Sequence, residues 1–167
     1  MDATIEDKPR CRWFMLAWLM LISLIIGLAV AIMPPLFDEI KADLALTHAQ
    51  IGIIWGAVSF GTLLSAIVGG LLGDRFGFKK IITLGLLVAV GACAMRAGLS
   101  SFWGLTLAMA ILGIAAGLIY PNVSKAVGVW FPPRELGRAL GLVNVEAALG
   151  WSVALMVGAT LSSLMGG

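Results

Sequence analysis

The chain has 167 residues, of which 60% are hydrophobic and 12% charged, and its mean hydropathy is +1.04. A soluble domain carries roughly 25% charged residues, so this composition belongs in a bilayer. A formal net charge of +2, with Lys and Arg only in short clusters, argues against a nucleic-acid partner; no nucleophile with a base, no nucleotide loop and no metal-ligand cluster points to an enzyme, a metal or a cofactor, and Cys11 and Cys93 have no spacing for a disulfide framework.

The first apolar run, Trp13 to Phe37, carries no charge. It is longer than the apolar region of a signal peptide, roughly 7 to 15 residues, and predicts a retained helix over 13–35 after a tail over 1–12. Pro34-Pro35 closes it. Leu36 to Leu46 alternates acids with apolar residues and reads as a short interfacial segment. Thr47-His-Ala-Gln50 has the spacing of a capping box and predicts a second helix over 48–73. His48, the single histidine, reads as a solvated residue beside that cap. Three further apolar runs predict helices over 79–99, 102–129 and 134–165, with Pro133 suited to a first-turn position. The expectation is an all-α polytopic membrane protein with five transmembrane helices over 13–167.

Alternate loops differ in charge. If the chain starts on the cytoplasmic side, that side holds Lys8, Arg10, Arg12, Arg75, Lys79, Lys80, Lys125, Arg134 and Arg138, and the other holds Lys41 and Arg96. Lys and Arg accumulate on the cytoplasmic side, so the expected topology has the N-terminus inside and, after five crossings, the C-terminus outside. Gly52, Gly56, Ser59, Ala66, Gly70, Gly73 and Gly77 read as a small-residue stripe on the second helix, where another backbone can approach.

The stretch GLLGDRFGFKK, Gly70 to Lys80, sits between the second and third helices. Topology explains its cations but not Asp74: a carboxylate at the last turn of a span is disfavoured by the helix dipole and needs a compensating charge. Gly70, Asp74, Arg75, Gly77, Lys79 and Lys80 fill every specified position of a loop signature in which Gly is followed after three residues by Asp, then by a basic residue, Gly and two further basic residues. Placed between the second and third helices on the expected cytoplasmic side, this stretch resembles the signature of the major facilitator superfamily. Trp130-Phe-Pro-Pro-Arg-Glu-Leu-Gly-Arg-Ala-Leu-Gly141 is similar to the linker between the fourth and fifth helices of many bacterial members.

The resemblance implies that the chain corresponds to the N-terminal part, five helices of the first half, of a secondary transporter of the symporter kind. Such a protein resides in a bacterial inner membrane and moves a small polar solute by rocking two halves around a central site. The fourth and fifth helices are similar to those of bacterial anion and organic-acid porters, which implies an anionic solute. The signature acts as a cytoplasmic gate latch in the family, so Asp74 and Arg75 are the expected latch residues, with Arg138 as a candidate partner. Two departures stand out. Met109 occupies the place of an Arg in the fourth-helix signature, which argues against proton coupling through that position. The segment from Gly150 to Gly158 lacks the Pro of drug/proton antiporters. One half forms one wall of a central cavity, so transport is expected to need a complementary half or self-association; the rival reading is a non-transporting, truncated or partner-binding membrane protein.

Within the spans, Glu146 lies eight residues beyond Arg138, about 12 Å into a core of about 30 Å, and is the candidate for proton coupling or cation contact. Asn144, two residues away, falls on a different face. Tyr120, Pro121 and Asn122 lie toward the inner part of the fourth helix, where the Pro frees a carbonyl that could line a cavity. Arg96, about 24 Å beyond Lys80, is expected to snorkel to the outer headgroups. Trp13, Trp103 and Trp130 read as interface anchors.

Overall fold

The computed structural model describes residues 9–99 and 101–165, with side chains over 11–99, 101–145 and 148–160. The described residues form six α-helices, α1 (Pro9–Ala31), α2 (Phe37–Asp43), α3 (His48–Phe76), α4 (Phe78–Gly98), α5 (Phe102–Trp130) and α6 (Pro133–Met165), with one 3-10 turn over Pro34–Leu36. Five regions are helical, long and apolar enough to cross a membrane. The interfacial segment forms α2, a seven-residue helix too short to span.

Each boundary has a local cause. At α3 the capping box forms, Gln50 N donating to Thr47 Oγ1 at 3.3 Å and Thr47 N to Gln50 Oε1 at 2.8 Å. At α5, Ser101 Oγ accepts from Gly104 N at 3.2 Å, and Pro133 opens α6, where its missing N–H costs nothing. Between α3 and α4 the connection is shorter than the sequence suggested. Helix α3 continues through Asp74 and Arg75 to Phe76, and Gly77 alone separates it from α4. Its φ of 88° is a conformation that a side chain resists, so a one-residue turn requires glycine there.

Helix α5 is the centre of the bundle. More than half of its apolar stretch is buried, against about a fifth for α3, and α3 and α4 both pack on it. Helices α3 and α5 run parallel, with contacts offset by about fifty residues, as in the Thr62 Oγ1 to Gly113 O hydrogen bond at 3.1 Å. The face that α3 presents is Gly61, Ser65, Gly69 and Gly73, all buried, spaced by four. Of the small-residue stripe expected from the sequence, Gly73 lies on this face and its N-terminal members do not. A Cβ added at Gly52 or Gly56 would meet nothing within 4 Å, and Ser59 is exposed. On α5, a Cβ at Gly113 would lie 2.9 Å from the Val58 Cα, and one at Gly117 would lie 2.6 Å from the Thr62 carbonyl oxygen. Backbone meets backbone here, the packing available to helices in lipid, where burying larger apolar side chains gains little.

The large side chains of α3 point the other way. Phe60, Leu63, Ile67 and Leu71 are each more than 60% exposed and lie on one stripe turned away from α5. Helix α1 packs on α6. Its start is pinned by Arg12, which lies 3.1 Å from Glu135 and 5.7 Å above the Phe131 ring, with Trp13 edge-on to the same ring at 5.4 Å.

Candidate functional site

Two places on the bundle bring functional side chains together. The first is the end where α3, α5 and the start of α6 carry their basic residues. Asp74 sits in the last turn of α3, and its ion-pair partner is Lys125 of α5. The Lys125 ammonium donates to Asp74 Oδ1 at 2.7 Å and to the Gly70 carbonyl at 2.6 Å. It thereby neutralises both the carboxylate and the carbonyl end of the helix. Arg138, the partner suggested by sequence, is exposed on α6 and forms no ion pair with Asp74. Arg75 stacks over Phe76 at 5.4 Å, while Lys79 and Lys80 are exposed on the first turn of α4. The Asp74 side chain is itself 67% exposed, so the pair contributes little to stability and leaves the second carboxylate oxygen open to another partner.

The second place is a cavity of about 280 Å³ between α1, α5 and α6, lined by Ser23, Tyr120, Val123, Ser124, Leu140, Val143 and Asn144. Tyr120 lies ten residues before the end of α5 and Asn144 eleven after the start of α6, about 15 Å from the basic end of the bundle and thus near mid-depth. Ser23 is 1% exposed, and its hydroxyl has no hydrogen-bond partner among the described residues. Asn144 is exposed, and its Nδ2 donates to the Leu140 carbonyl at 2.9 Å.

Residues 19–167 match the family model of the Major Facilitator Superfamily. The chain belongs to the major facilitator superfamily. It is 37% identical over 114 residues to "Probable anion transporter 4, chloroplastic" of Arabidopsis thaliana, covering 67% of this chain and 21% of that one. It is 29% identical to the hexuronate transporter of Bacillus subtilis (68% and 27% covered) and 27% identical to the 4-hydroxybenzoate transporter PcaK of Acinetobacter baylyi (97% and 35% covered). The chain therefore spans about a fifth to a third of the length of these superfamily relatives.

Of the residues singled out from the sequence, the superfamily fold brings Tyr120 and Asn144 to one cavity and sends Asn122 elsewhere. Asn122 is fully buried against α3, donating from Nδ2 to the Gly69 and Leu118 carbonyls, each at 2.8 Å. It cements two helices and does not line the cavity. Nor does the carbonyl freed by Pro121, that of Gly117: it turns to α3, 2.7 Å from where a Gly69 Cβ would stand. Arg96 does more than the sequence suggested: its Nη1 donates to the Ala29 carbonyl of α1 at 2.9 Å and lies 3.9 Å from Met109 Sδ, so it also bridges helices. Glu146 falls within α6, but its side chain lies outside the described ones. Lys125 and Ser23 were missed. The signal for Lys125 was a cation within an otherwise apolar helix, five residues before its end, in register with Asp74 once α3 and α5 are taken as parallel neighbours.

Proposed function

We propose that this chain forms one wall of a secondary transporter for small organic anions, which alternates access around a mid-depth site. The observation that carries this reading is the mid-depth cavity whose lining brings together Tyr120 and Asn144 from two helices, with Ser23 from a third. Support for the anionic class comes from relatives named for anions, for hexuronate and for 4-hydroxybenzoate; the last two are carboxylates at neutral pH. The wall offers hydroxyl and amide groups and no cation among its described lining residues. The countercharge for the solute is therefore assigned to the facing wall, supplied by a complementary half or by a second copy. The charge asymmetry supports placing the basic end in the cytoplasm of a bacterial inner membrane, with the Asp74–Lys125 pair as the latch against that facing half.

The test is uptake into liposomes by the assembly that includes the facing wall, with 4-hydroxybenzoate and a hexuronate set against their uncharged amides. Flux is expected for the acids. Asn144→Leu is expected to raise KM roughly tenfold, the effect of losing one good hydrogen bond to an ion, with unchanged protein in the membrane. Equal transport of the amides, or an unchanged KM, would overturn the reading.

Glu146 enters as the proton carrier on depth alone. Glu146→Gln keeps the shape and hydrogen-bonding capacity and removes the titratable proton. It should abolish accumulation driven by a pH gradient and leave solute exchange active. Accumulation at the unmodified level would move the coupling site to another residue.

A further inference from the structure

At the bundle end opposite the basic clusters, the connection after α1, α2 and the neighbouring ends of α4 and α5 border a second cavity, of about 390 Å³. Most of its lining is aliphatic, including Met33, Leu36, Ile40 and Leu99, and two of its residues, Arg96 and Asp43, are charged. No carboxylate lies within ion-pairing distance of Arg96 among the described residues; its Nη1 rests on the Ala29 carbonyl and the Met109 thioether. The guanidinium has five N–H donors in a fixed fork, so most of them remain for a ligand. A half-buried cation without a counterion calls for an anion. Asp43, exposed at the end of α2, calls for a cation in the same cavity. We propose that this cavity holds a zwitterionic phospholipid with a primary ammonium, of the phosphatidylethanolamine type. Its phosphate accepts from Arg96, its ammonium donates to Asp43, and one acyl chain lies along the aliphatic lining.

The occupant follows from complementarity and place. A solute anion has no use for Asp43 or the aliphatic wall, and an anionic lipid is repelled by the carboxylate. The cavity sits at the height where a span leaves the hydrocarbon core, about 24 Å along α4 from Lys80, which is the height of a headgroup. This assignment is independent of the transport reading, because it concerns another cavity and is read by binding.

The experiment is native mass spectrometry of the purified chain in detergent, titrated with phosphatidylethanolamine, phosphatidylcholine, phosphatidylglycerol and glycerophosphoethanolamine. The first should bind roughly tenfold more tightly than the second, whose quaternary ammonium cannot donate a hydrogen bond to Asp43, and than the third, which has no cation. The chainless head group should bind weakly or not at all. Asp43→Asn, a surface change that leaves the fold alone, should bring phosphatidylethanolamine down to the level of phosphatidylcholine. Arg96→Gln should weaken all three lipids roughly tenfold, and Arg96→Lys should restore part of the loss. Equal binding of phosphatidylethanolamine and phosphatidylcholine, tighter binding of phosphatidylglycerol, or indifference to Asp43→Asn would each overturn the proposal.

Discussion

Gly117→Leu is expected to separate α3 from α5 and to destabilise the bundle by about 3 kcal/mol or more, the upper range for overpacking a filled core. The reason lies in what the new side chain meets. The Thr62 carbonyl, the Ser65 hydroxyl and the Ala66 amide already stand where its Cβ must go, and two of these are backbone atoms that move only if the helix moves. Relaxing the clash by parting the helices also strands Asn122, whose amide bonds to Gly69 one turn further along. Gly52→Leu is the matched control. Nothing lies within 4 Å of that position, so an exposed leucine there should change stability by no more than about 0.5 kcal/mol. Unfolding by denaturant in mixed micelles measures both. Similar stabilities for the two variants would mean that the parallel α3–α5 contact is not what holds the bundle together.

The second large effect is functional. With the facing wall present, Asp74→Asn is expected to slow transport roughly ten- to a hundredfold, the factor for losing a charge-assisted bond in one of two alternating states. Because the carboxylate is largely exposed and its bond to Lys125 is a surface ion pair, the same change should shift stability by less than about 1 kcal/mol. Lys125→Met separates two roles. It removes the cation that holds Asp74 and leaves the Gly70 carbonyl uncapped, so it should lower stability more than Asp74→Asn does and slow transport less. Counterflow in proteoliposomes, run beside thermal unfolding of the same samples, reads both quantities. Unimpaired flux in Asp74→Asn would remove the latch role from α3.

What the sequence disclosed and what it withheld divide along a physical line. Span number is a matter of length and solvent. Runs of about 20 apolar residues have few alternatives in a bilayer, and a helix end such as that at Thr47 is set by neighbours within four residues. Azimuth, the direction in which a helix turns each face, depends on partners distant in the chain. Residue counting thus set how far Arg96 lies along its helix and missed that its guanidinium reaches Ala29 on α1. Similarly, Gly52 and Gly56 have the same composition as Gly61 and Gly69, and only the presence of α5 distinguishes them. At the candidate site, the loop signature exposed Asp74 through spacing, whereas Lys125 sits 51 positions away and becomes its partner only when the parallel register is known. Tyr120 and Asn122, two residues apart on α5, point to different helices, which a cluster read from sequence proximity merged.

The parallel pairing of α3 and α5 also bears on the order in which the chain is born. Helix α3 leaves the ribosome before α5, with all of α4 between them, and during that interval its small-residue face has no neighbour but lipid. The hydroxyls on that face need no neighbour: Thr62 donates to the Val58 carbonyl at 2.8 Å and Ser65 to the Gly61 carbonyl at 2.7 Å, one turn back on their own helix. Asn122 brings the same provision from its side, with one of its two bonds to Leu118 in its own helix. Helix α3 therefore enters the membrane with both hydroxyls bonded to its own backbone, whereas the second Asn122 N–H of α5 finds its acceptor, the Gly69 carbonyl, only on docking. A delay between the two insertions, however long translation makes it, leaves the earlier helix waiting in a state that the bilayer tolerates.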